Sequence, residues 1–137
     1  MALDVAVSPE ELKALLETGF LFRERKELDK AEEVFAGVIA LRPDLEIAHL
    51  GLANIAHAKG EVERAEGLFR KMTELFPQSA LAFGQLGEFL HTQGKKDAAV
   101  EALNKAISLD PSGPHGEAAK AIKALVDEGV EYNYAVS

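Results

Sequence analysis

Histidine is the one side chain here that changes charge near neutral pH, and two of the four, His57 and His91, stand 34 residues apart. On equivalent faces of neighbouring helices they would be separated by about the 8–10 Å between packed helix axes. That is wide for a shared metal, and no third ligand accompanies them, so no metal site is expected. A grip that weakens on protonation is a second use for such a pair. The plainer reading, adopted here, makes both the polar edge of a binding surface. His49 and His115 have no partner visible in the sequence. Acidic pairs such as Glu32-Glu33 and Asp127-Glu128 fit solvated helix faces. The chain has no cysteine, which excludes disulfides, thiolate ligands and thiol nucleophiles. It also lacks a Gly-rich dinucleotide turn, a phosphate loop and an H-E-x-x-H pair. No catalytic residue and no cofactor is expected, and the reading is of a non-enzyme.

Charge narrows the partners. Fifteen basic against 23 acidic residues give a formal charge of −8, which repels phosphate backbones and argues against nucleic acid. The basic cluster Arg23-Glu-Arg25-Lys26 is interrupted by a carboxylate and reads as a solvated helix end. No apolar run approaches the roughly 20 residues that span a bilayer. Residues 1–8 lack a secretory-signal pattern, and with the missing cysteine this makes the cytoplasm the expected compartment. The length of 137 residues fits a single domain, set at 9–128, between an arm (1–8) and a tail (129–137).

The elements follow from an internal period. Pro43, Pro77 and Pro111 recur every 34 residues. Ala31, Ala65 and Ala99 keep the same step, as do Gly19, Ala53 and Gly87, then Phe35, Phe69 and Leu103, then Leu41, Leu75 and Leu109. Between these markers the apolar residues run at helical spacing. Ile47, Leu50, Leu52, Ile55 and Ala56 stop at Gly60; Val62 to Phe76 stop at Pro77. Each unit therefore reads as two helices, over about 11–43, 45–77 and 79–111. Ser8-Pro9-Glu10-Glu11 opens the first with an N-cap and a proline at the first helical position. The small residues mark where the two helices of a unit meet, and Phe35, Phe69 and Leu103 fill the space between units. A last helix over 115–128, with Ala118, Ala121, Ile122, Leu125 and Val126 as its apolar stripe, caps the stack before Gly129.

This order of small, small, large and proline in a 34-residue helix–turn–helix resembles the tetratricopeptide repeat over Glu11 to Pro111. The early aromatic of that motif is kept only by Phe83, its place being taken by Leu15 and His49 in the other units. The resemblance implies an all-α, three-repeat α-solenoid with a C-terminal capping helix. It also implies a concave face that binds protein or peptide, lined by the first helix of each unit. Carried over by position, that face comprises Leu16, Phe20 and Arg23; Ile47, Leu50, Asn54 and His57; and Leu81, Gly84, Glu88 and His91. Some of these could instead turn into the core. Members that grip a chaperone's terminal carboxylate use lysine, asparagine and arginine where this chain has Leu16, Phe20, Gly51, Leu81 and Gln85. Without a cation at those places, the resemblance points to a hydrophobic or amphipathic segment.

The chain is also similar, in size, acidity and the stretch Ile47-Ala-His-Leu-Gly-Leu-Ala53, to bacterial type III secretion chaperones of the tetratricopeptide class. That similarity implies a secretion chaperone or adaptor. The alternative is a scaffold or self-assembling subunit with no dedicated client, joined through its ends and convex face. Leu3, Val5 and Val7 in the arm, or Tyr132 and Tyr134 in the tail, could then occupy a groove of their own or a neighbouring copy.

Overall fold

Each helix pair is closed by a residue forced into left-handed backbone geometry. The computed structural model describes residues 6–131, and among them it contains seven α-helices and no strand. They are α1 (Pro9–Glu24), α2 (Leu28–Leu41), α3 (Glu46–Ala58), α4 (Val62–Leu75), α5 (Ala80–Thr92), α6 (Lys96–Leu109) and α7 (Pro114–Asp127). After α3, α5 and α7 the chain turns at Gly60, Gly94 and Gly129, with φ of 78°, 73° and 72°. Each turn is tied by a backbone bond reaching back five residues: Glu61 N–H to Ala56 O at 3.0 Å, Lys95 to Leu90 at 3.0 Å, Val130 to Leu125 at 3.0 Å. The corresponding turn after α1 falls on Lys26, at φ 61°, with Glu27 N–H bonded to Phe22 O at 2.9 Å.

Lys26 thus carries a Cβ where the geometry favours none. Left-handed backbone costs a non-glycine residue about 1–2 kcal/mol, so Lys26→Gly is expected to stabilise the fold by about 1 kcal/mol. Urea unfolding of the two proteins checks this; equal midpoints would show that the lysine is not strained.

The prolines work from the other side. The residue before proline is held out of helical geometry, and Arg42 and Asp110 are extended accordingly, at φ −140° and −143°. At the chain's start, Glu11 N–H donates to Ser8 Oγ at 3.1 Å, which realises the N-cap expected there.

The fold divides into two compact units, the first closing at Leu68 and the second opening at Phe69. In the first, Phe35 is the organising side chain. It is fully buried with Ala31 and Ile55, and Phe20 meets it edge-on at 5.0 Å between ring centroids. Its ring fits because two glycines make room. A Cβ on Gly19 would come within 2.9 Å of the ring and one on Gly51 within 2.5 Å. A second cluster joins Leu12, Val38 and Ala48, and Val7 packs against it. Leu3, Val5, Tyr132 and Tyr134 lie outside the described residues.

His49 is buried in this unit, and its Nε2–H donates to the Pro43 carbonyl at 2.9 Å. It holds the turn between α2 and α3, a task invisible in a sequence that offers it no partner.

In the second unit Leu103 fills the place left by Gly87, where a Cβ would meet the Leu103 side chain at 2.6 Å and the Ala99 carbonyl at 3.2 Å. Phe69 stacks on Phe89 at 5.0 Å. Helix α7 covers Leu103 and Ala106 with Ala119 and Val126. Of the expected stripe, Val126 is buried and Ile122 packs against this cluster, but the alanines differ. Ala118 and Ala121 are exposed, and the buried row is Gly116, Ala119 and Val126. The start of the helix sets this rotation: the Asp110 carboxylate accepts from the backbone N–H of His115 and of Gly116, each at 3.2 Å. That bond pins Gly116 against the loop, and the helical period then turns positions 119 and 126 inward.

Candidate functional site

Helix α1 presents an open groove of about 520 Å3, bordered by Pro9, Leu12, Leu16, Phe20 and Leu45, with Lys13, Glu17 and Arg42 at its edges. Positions 9, 12, 13, 16, 17 and 20 share one side of a helix of 3.6 residues per turn. The two readings left open by the sequence meet here. Leu16 packs on both buried clusters and Phe20 on Phe35, yet each stays half-exposed on the groove side. Arg23, one turn further along α1, is exposed to solvent.

The groove's charges are neutralised locally. Arg42 forms two bonds with Asp44, at 2.9 and 2.8 Å, and that pairing holds the Asp44 carboxyl down at about 2. Lys13 lies 3.9 Å from Glu17. What faces an incoming group is therefore an apolar floor with its ions already matched.

On α3, Ile47 is 37% exposed, and Leu50, Asn54 and His57 are half-buried. The row passes from two aliphatic side chains at its start to two polar ones at its end.

In the second unit Leu81, Gly84 and Glu88 share a narrow crevice with Gln85, and the opposite wall is His115, Ala118 and Ile122 of α7. A Cβ on Gly84 would meet only the Ala106 methyl, at 3.9 Å, so space does not demand glycine there. His91 is set apart from these residues. Its Nε2–H donates to the Val130 carbonyl at 2.9 Å, beside a separate hollow with Thr92, Gln93 and Glu131. The contribution of α7 to this face was missed at the level of sequence. The i, i+4 pair Ala118 and Ile122 was visible, but it reads equally well as the inward side of a cap.

The outer side of the first unit carries an ion network. Lys59 reaches Asp29 at 2.8 Å and Glu32 at 3.7 Å, and Arg64 reaches Glu32 at 2.6 Å and Glu61 at 3.0 Å. These bonds tie α2 to the turn after α3, through Lys59, and to the first turn of α4, through Arg64. The Arg64 hydrogen bond lowers the Glu32 carboxyl below its ordinary 4.5, and the Lys59 hydrogen bond lowers Asp29 below 3.8. A lowered carboxylate stabilises the fold above its unfolded pKa, and that contribution disappears as pH falls through the folded value. Glu32→Gln is thus expected to cost at most about 1 kcal/mol at neutral pH. The gap between variant and wild-type melting temperatures should close on acidification below about pH 4. A gap that persists at pH 2 would mean that the pair does not provide the stability.

Among the described residues no cluster of three or more histidine, aspartate or glutamate side chains is placed to hold a metal. None of the described helices is long and apolar enough to cross a membrane.

Residues 50–114 match the family model of the tetratricopeptide repeat. No curated protein matches the chain in sequence. Solved structures share its fold. PcrH from Pseudomonas aeruginosa aligns with a TM-score of 0.78 at 21% identity, over 96% of this chain and 100% of that one. The type III secretion chaperone SycD of Yersinia enterocolitica, solved in complex with a peptide of the translocator YopD, aligns with a TM-score of 0.76 at 18% identity, over 92% and 96%. Pseudomonas aeruginosa pilF aligns with a TM-score of 0.77 at 22% identity, over 88% of this chain and 54% of that one. The 34-residue period over residues 50–114 is thus matched by the tetratricopeptide-repeat model, and the all-α fold of the chain is shared with these solved structures.

Proposed function

We propose that this chain, whose residues 50–114 match the tetratricopeptide-repeat model, is a non-catalytic protein-binding module that holds a hydrophobic or amphipathic segment of a partner, in the manner of a secretion chaperone. The observation that carries this is the α1 groove, whose floor is Leu12, Leu16, Phe20 and Leu45 and whose edge charges are already paired. An apolar recess with matched ions favours apolar side chains over a free carboxylate or phosphate, because a charged ligand would lose water there without gaining an unpaired counter-charge. Ile47 and Leu50 on α3, and Leu81 on α5, are the further apolar positions assigned to partner contact. Arg23, Asn54, His57, Gly84, Glu88 and His91 are assigned to its polar border. The peptide complex known for SycD supports a chaperone role of this kind. The bacterial cytoplasm is the matching compartment.

Capture from native cells tests the reading. Leu16 and Phe20 also serve the core, so a charge there would confuse binding with unfolding. Ile47→Glu and Leu50→Glu place a carboxylate on the α3 face instead. Each is expected to lower partner recovery by about tenfold or more, with helical circular dichroism retained. Undiminished recovery with both variants would remove α3 from the site and favour a scaffold that uses other surfaces.

A further inference from the structure

Ahead of α1, Leu3, Val5 and Val7 alternate with Ala2, Asp4 and Ala6. An extended chain puts such alternating residues on one side. The described end of the arm already follows this rule. Val7 is half-buried and Ala6 is exposed, and Ser8 is extended at φ −70° and ψ 156°. Val7 packs against the cluster of Leu12, Val38 and Ala48. It stands just before the N-cap Ser8, with Leu12 in the first turn and a half of the helix, a pairing that fixes the angle at which a chain enters a helix.

That contact lies at the mouth of the α1 groove. Leu12 belongs both to the cluster under Val7 and to the groove wall, and Leu16 and Leu45 of the wall pack on the same cluster. The arm therefore meets α1 on its groove side, with two more apolar residues upstream in the same alternation. The lengths agree. Four extended residues carry a chain about 13 Å, the reach from Val7 back to Leu3. The helix rises about 12 Å from Leu12 to Phe20. Turned back along α1, the arm brings Val5 over Leu16 and Leu3 over Phe20, the two groove side chains that stay half-exposed. The alternation then leaves Asp4 in water, so no carboxylate enters a recess whose edge ions are already paired.

We propose that residues 1–5 form an intramolecular cover for the α1 groove, which a partner's apolar segment displaces. The displacement rests on the reading of this groove as a client site; the contact itself does not. Two apolar side chains must offset the ordering of five residues, so the cover is held weakly and yields to a longer segment.

The chain has no cysteine, so Ala2→Cys supplies a single thiol for a nitroxide on the 15N-labelled full chain. The nitroxide is expected to broaden the amide signals of residues 16–20. Leu3→Ser with Val5→Ser should sharpen them again. The same double change should tighten binding of the neutral dye Nile red about tenfold, the gain when a site closed about nine-tenths of the time is freed. The dye should shift the amides of Leu16 and Leu45, and helical circular dichroism should be unchanged. Equal signals at residues 16–20 with and without the double change, or equal dye affinity, would overturn the proposal. So would broadening that appears only when nitroxide-bearing chain is mixed with 15N-labelled chain lacking the thiol, since the occupant would then be the arm of a second copy. None of these outcomes depends on a client, whereas capture with Ile47→Glu and Leu50→Glu does, so the cover and the client reading fail separately.

Discussion

Phe35→Ala is expected to destabilise the first unit by about 3–5 kcal/mol, the range for removing a fully buried aromatic side chain. The ring has no exposed surface, and it joins three helices. Phe20 of α1 meets it edge-on at 5.0 Å, Gly51 of α3 leaves room for it, and Ile55 of α3 packs in the same cluster. The two glycines make the loss hard to recover. Neither has a side chain to move into the void, so the cavity stays open unless the backbones close. A change of this size is a large share of the stability of a domain of ordinary size. Chemical unfolding followed by far-UV circular dichroism measures it, and a loss under about 1 kcal/mol would show that the helices collapse together without the ring. Gly51→Ala should act in the same direction, since its Cβ would press on that ring.

Gly116→Ala is the second large effect, and its cause is collision. A Cβ at residue 116 would overlap the Asp110 backbone carbonyl, which cannot swing aside as the tip of a long side chain can. The same turn holds Asp110 Oδ2 against the N–H groups of His115 and Gly116, and Lys120 Nζ against the Pro111 carbonyl at 2.6 Å. Moving α7 away to relieve the clash would therefore break its N-terminal cap as well. Overpacking of this kind costs about 1–3 kcal/mol or more, and here it should fall on α7. The expected signature is faster amide exchange across residues 114–127 and a lower melting temperature. Unchanged exchange in that segment would mean that the loop at Asp110 adapts freely.

The parts of this fold that repeat were readable, and the parts that occur once were not. Gly19 and Gly87 stand in a register that recurs every 34 residues, so their place at a helix contact followed from spacing; that Phe35 and Leu103 fill those places did not, because the same spacing set them between units. Gly51 belongs to no register; its partner is the same Phe35, approached from the following helix, and only the packing of α2 on α3 makes that visible. His49 and Asp110 each bond to backbone groups across a turn, and a sequence does not display backbone acceptors and donors. The rotation of α7 has the same origin, since the bond at its start decides which alanines face inward. Lys26 occupies a position where its counterparts Gly60 and Gly94 announce a turn and it does not. At the candidate site, helical spacing placed Leu16 and Phe20 on one side of α1, but it could not say that they serve the core and the groove together. The neutral edge of that groove depends on Arg42 folding back to Asp44, a contact between neighbours that could equally have pointed outward.

The central claim, that the first-helix faces receive a partner's apolar segment, is tested most directly by site-specific photo-crosslinking in the native cell. A benzophenone amino acid at Ile47 is expected to give a strong adduct to a partner polypeptide. The same group at exposed Glu33, on α2, should give none. Adducts from residue 33 with none from residue 47 would contradict the account.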